Sequence, residues 1–112
     1  MKLQISKVNH DFCKCIDQKI QQIEISGNAN FDRHGKDIVC AGVSAIVYGS
    51  INAIDQVKKN QIEFKIKEGY TFIKVKKDSS DLQLLLKMML VQLQTLEETY
   101  GQFIKINQLM EV

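Results

Sequence analysis

Polar and apolar residues alternate along Lys2-Leu3-Gln4-Ile5-Ser6-Lys7, the two-residue period of a strand with one buried face. Val8-Asn9-His10-Asp11 then reads as a turn, which makes His10 an exposed turn residue. From Phe12 to Ser26 the chain is extended again but alternates less regularly. Its apolar members are Ile16, Ile20, Ile23 and Ile25, Asp17-Gln18 is a candidate local turn, and Gly27 ends it. From Asp37 to about Lys58 the period becomes helical, with Val39, Val43, Ile46, Val47, Ile54 and Val57 on one side. Ala41, Gly42, Ala45 and Gly49 are small enough to let this helix approach a neighbour closely.

Clean alternation returns at Ile62-Glu63-Phe64-Lys65-Ile66-Lys67, Glu68-Gly69 turns, and Tyr70 to Val75 runs back as a hairpin partner. Asp78-Ser79-Ser80-Asp81 offers N-caps for a second helix, with Leu82, Leu85, Leu86, Met89, Leu93, Leu96 and Tyr100 on one face and Gly101 as its stop. Met88 and Met89 read as core filling. Leu84 and Leu90 exceed what one sheet needs to bury, which suggests a contact in a dimer. Phe103 to Ile106 closes the pattern as a short strand. The order β-β-α-β-β-α-β predicts an α+β fold, a two-layer sandwich of one mixed β-sheet with two helices on one face.

Length holds this to one domain spanning residues 1–112, since 112 residues support a single core. Hydrophobic residues make up 45% and charged residues 25%, ordinary globular usage, so disorder is not indicated. A net charge of +2 gives no argument for nucleic acid, although lysines gather at 58, 59, 65, 67, 74, 76 and 77, where they read as a solvated face. No signal peptide is evident and no apolar run approaches the roughly 18 residues of a membrane span, so a cytoplasmic protein is expected. Three cysteines argue against a disulfide framework. Cys13 and Cys15 lack a second pair of ligands, so neither a metal nor an organic cofactor is expected.

Chemistry concentrates between Gly27 and Ser44. Asp37 is a good N-cap, which would put Cys40 at the third helical position, where the helix terminus favours a thiolate. Ser44 follows one turn later on the same face, so its hydroxyl can point towards the sulfur. Among Val39, Ala41 and Gly42, a cysteine can equally be a small buried hydrophobe. Phe31, in the loop closed by Gly35, can anchor that loop or move with it.

At these residues the chain resembles the ribosomal-processing cysteine proteases. The family pattern is Gly-His-Ala, a mobile loop, then Gly-x-Asp-(Ile/Leu)-Val-Cys-Ala-(Ala/Gly)-(Val/Ile)-Ser. Here Gly35 to Ser44 matches position for position, and Gly27 and Ala29 match on the other side of the loop. The resemblance implies a homodimeric endopeptidase. It would cut the N-terminal extension of large-subunit ribosomal protein twenty-seven after an aromatic pair and before a small residue. Cys40 would be its nucleophile, with Ser44 beside the sulfur and Asp37 orienting the helix start.

One position departs from the pattern: Asn28 stands where the family has its catalytic histidine. A cysteine protease needs a base for the thiol proton and an acid for the leaving amine, and an asparagine amide is neither. It can still donate a hydrogen bond to a carbonyl oxygen. Three accounts stay open: activity lost with binding kept, substitution by His34 or His10, or an engineered replacement.

Overall fold

The computed structural model describes the backbone of residues 2–9, 18–27 and 36–111, and the side chains of 19–27 and 38–106. The elements follow the expected order: β1 (Lys2–Asn9), β2 (Gln18–Ser26), α1 (Lys36–Val57), β3 (Ile62–Lys67), β4 (Tyr70–Val75), α2 (Ser80–Tyr100) and β5 (Lys105–Glu111). The five strands form one sheet in the order β3-β4-β2-β1-β5. Only β1 and β5 run parallel; every other neighbouring pair is antiparallel, so the sheet is mixed, as expected.

The irregular alternation in β2 has a structural cause. Ser6 pairs with Gln22 and Lys7 with Ile20, which leaves Gln21 as an extra residue, a β-bulge. The bulge lets Ile20 and Ile23, three apart, both reach the core with Ile25. Ile20 lies beyond the pairing with β4, and Gln83 of α2 takes over there. Its side-chain amide accepts from the Ile20 N–H at 2.8 Å, donates to the Ile20 carbonyl at 2.8 Å, and donates to Asp78 Oδ1 at 2.9 Å. A buried amide thus supplies what a missing strand would have supplied.

Several boundaries move. Val8 and Asn9 belong to β1 and not to a turn. The last strand begins at Lys105 and runs to Glu111, well past Ile106. Buried positions on α1 are Val39, Val43, Val47, Ile51 and Ile54, whereas Val57 is 67% exposed because the helix ends there. On α2, Met89 and Leu90 are buried and Met88 is 63% exposed, so Met88 is not core filling and Leu90 is not surplus. Ser79 is the N-cap of α2, accepting from Leu82 N–H at 3.1 Å.

The two helices meet closely at Gly42, where an added Cβ would stand 3.2 Å from Leu96 Cδ1. Over Ile38–Val57, α1 is long and apolar enough to cross a membrane, with mean hydropathy 1.5, contrary to the expectation of no such run. Of the residues that supply that hydropathy, Val39, Val43, Val47, Ile51 and Ile54 pack into the shared core with β2, β4 and α2, while Ile38 and Val57 are exposed.

Candidate active site

The site lies where the ends of β2 and the β3–β4 hairpin meet the first two turns of α1. Gly69 makes the hairpin turn with φ 73°, a conformation that suits glycine, and its carbonyl accepts from the Gly27 N–H at 3.0 Å. That bond ties the end of β2 to the hairpin. Above it, Cys40 and Ser44 face a cleft of about 220 Å³, whose walls also include Val43, Tyr48, Lys67, Tyr70 and Thr71. Cys40 is a free, half-buried thiol, so its sulfur can be reached from solvent while packing holds its helix in place.

The cleft brings together Gly27, Cys40 and Ser44, three of the residues singled out in the sequence. α1 begins at Lys36, so Asp37 is inside its first turn and not before it. Cys40 is therefore the fifth helical residue and not the third. The field of the helix terminus falls off within that first turn, so it acts less on this position than the sequence suggested. Asn28, Phe31, His34 and Gly35 lie outside the described residues, as do His10, Cys13 and Cys15.

Sequence reasoning missed Tyr48, Lys67, Tyr70 and Thr71. Tyr48 had a signal, since it continues the helical line Cys40–Ser44 by one further turn. The others reach the cleft only through the hairpin's position beneath α1. The Tyr70 phenol donates to Glu24 Oε2 at 3.2 Å. Partial desolvation, and then the negative charge and hydrogen bond of Glu24, hold its pKa above the usual phenol value. It is therefore a protonated hydrogen-bond donor near neutral pH.

Residues 7–105 match the family model described as cysteine protease Prp. The ribosomal processing cysteine protease Prp of Staphylococcus aureus is 38% identical over 92 residues, covering 80% of this chain and 87% of that protein. Its counterpart in Bacillus subtilis is 34% identical over 97 residues, with the same coverage of 80% and 87%. A crystal structure of the S. aureus protease in complex with a substrate peptide matches with a TM-score of 0.78 at 30% identity, covering 95% of this chain and 98% of that one.

Proposed function

Because this chain belongs to the cysteine protease Prp family, we propose that it acts on the N-terminal extension of large-subunit ribosomal protein twenty-seven, with Cys40 as nucleophile. One observation carries this reading: Cys40 and Ser44, one helical turn apart, both open onto the cleft beside the Gly27–Gly69 link. In the reaction the Cys40 thiolate adds to the scissile carbonyl carbon. The C–N bond then breaks, the amine leaves with a proton, and water hydrolyses the resulting thioester.

Asn28 limits that chemistry. It can donate a hydrogen bond to the carbonyl oxygen, but both proton transfers need another group, for which His34 is the nearest candidate in sequence. The second reading, favoured by Asn28 itself, is a homologue that binds the precursor and leaves it uncut. Incubating the protein with its own organism's ribosomal precursor, beside Cys40→Ala and Asn28→His, and following cleavage by mass spectrometry separates the two. Restoring an acid–base residue is expected to raise cleavage by about 10²–10⁴-fold. Cleavage by the unaltered chain and not by Cys40→Ala makes it a protease with a substitute base, with His34→Ala as the next variant. Cleavage only by Asn28→His supports binding without turnover, and no cleavage by either overturns the ribosomal assignment.

A second copy of the chain is the proposed partner of the outer helix face. Leu84, Met88 and Val91 stand exposed along one line of α2, beside a groove lined by Ala45, Gly49 and Ala53. Leu84→Lys with Met88→Lys should turn a dimer into a monomer in sedimentation velocity. An unchanged sedimentation coefficient would place the contact elsewhere. A ribosomal substrate puts the working location in the cytoplasm, which cell fractionation checks.

A further inference from the structure

β3 is an edge of the sheet, paired with β4 on one side and, among the described residues, with nothing on the other. An open edge offers a row of unpaired backbone N–H and C=O groups to any extended chain. Two side chains make this edge selective. Phe64 pairs across with Ile73 and Ile66 with Thr71. Ile73 and Thr71 are buried under the helices, so Phe64 and Ile66 point to the helix side of the sheet. They are nevertheless 42% and 46% exposed, because the helix layer stops short of them.

The edge also leads into the cleft. Thr71, directly across from Ile66, and Lys67, which follows it, both line the cavity that holds Cys40. Tyr48, itself half-exposed, forms the facing wall. Moving back from the cleft along β3, Ile66 and then Phe64 appear at two-residue steps, about 7 Å apart, the spacing of same-face side chains in an extended peptide.

We propose that the substrate segment on one side of the scissile bond adds to the free edge of β3 as a further strand, with alternate side chains resting on Ile66 and Phe64. The inference rests on the reading of the chain as a processing protein for a ribosomal precursor. Backbone pairing supplies affinity without regard to sequence, and the two apolar residues select apolar side chains at alternate positions of the substrate.

The test uses the full chain carrying Cys40→Ala, so that no peptide is consumed, and a synthetic peptide spanning the extension and the first residues after the cut. Single N-methyl groups are placed at each backbone amide in turn, and binding is measured by calorimetry. Each methyl removes one donor, so every second amide over about four to six residues should weaken binding about tenfold, with the intervening amides close to unaffected. The double variant Phe64→Ser with Ile66→Ser should weaken binding several-fold, and Glu63→Gln, on the opposite face, should not. Binding without a two-residue period, or indifference to the double variant, overturns strand addition alone. Failure of the unmodified peptide to bind overturns the ribosomal reading and this inference with it. The methyl scan leaves the protein unaltered, so misfolding of the double variant cannot stand in for a result.

Discussion

The two ends of α1 are held in opposite ways. At its C-terminal end the connections are dense: the Gln61 carbonyl accepts from the N–H groups of Lys76 and Lys77 at 2.8 and 3.1 Å, and Gln61 Oε1 accepts from Ser79 Oγ at 2.9 Å. Next to it Gln83 clamps Ile20, Asp78 pairs with Lys19 at 3.3 Å, and Lys58 reaches Asp81 at 3.0 Å. At the N-terminal end the described residues show the backbone pairing of β2 with the hairpin, carried one bond further from the Gly27 N–H to the Gly69 carbonyl, a glycine turn and an open cleft. The difference teaches which end is fastened by side chains and which is left open for use. Among the described residues, side-chain hydrogen bonds and ion pairs gather at the end away from Cys40. Backbone pairing and the core residues Val39 and Val43 hold the cleft end and leave the space beside the thiol open to a peptide.

The largest expected effect separates these roles outright. Cys40→Ala should abolish whatever cleavage the Asn28→His chain performs, with a change in unfolding free energy below about 1 kcal/mol, since the thiol is only half-buried. Cleavage assays paired with urea denaturation check this. A loss of stability as large as the loss of activity would break the division between the two ends.

Gln83→Leu is the converse. Removing the amide leaves the Ile20 N–H and carbonyl unpaired in a buried setting, and a cost of about 2–4 kcal/mol is expected. Alkylation of Cys40 in the native state, followed by peptide mass spectrometry, should keep its rate. Ser79→Ala is a smaller step at the same end. It removes both the α2 cap and the bond to Gln61, for about 1–2 kcal/mol. If Ser79→Ala destabilised more than Gln83→Leu, the cap and not the clamp would be the main fastening of that end.

Much of this arrangement could be read from the chain alone, for local reasons. The β3–β4 hairpin is plain because alternation and Gly69 agree, and Gly101 and Ser79 bracket α2 because helix ends have their own chemistry. Cys40 and Ser44 fall together because one helix carries both. What could not be read depends on distant neighbours. The bulge at Gln21 is set by pairing with β1, and Gln83 looks like any surface glutamine until Ile20 is placed beside it. Val57 is exposed because α1 ends there, and Met88 because it lies off the buried line of α2, beside the outer groove between the helices.

The smallest effect sharpens the comparison through pH. Burial alone would raise the Asp78 carboxyl, but hydrogen bonds from Gln83 and Lys19, the Lys19 charge and the Ser79 N–H together hold it below the usual carboxylate value. A folded value below the unfolded one means the unfolded chain takes up a proton more readily. Asp78 therefore stabilises fully above its unfolded pKa, and that contribution is lost as pH falls through the folded one. The group is partly exposed, so solvent screening keeps the effect small. Urea denaturation across the acidic range should give a shallower decline for Asp78→Asn than for the unaltered chain. Because the loss falls at the Gln83 end, hydrogen exchange at Ile20 should quicken in acid, relative to its intrinsic rate, before exchange at Gly27 does. Parallel declines in the two proteins would mean that Asp78 does not couple protonation to the clamp, and that this end of the molecule is fastened by Gln83, the cap and the Gln61 bonds without it.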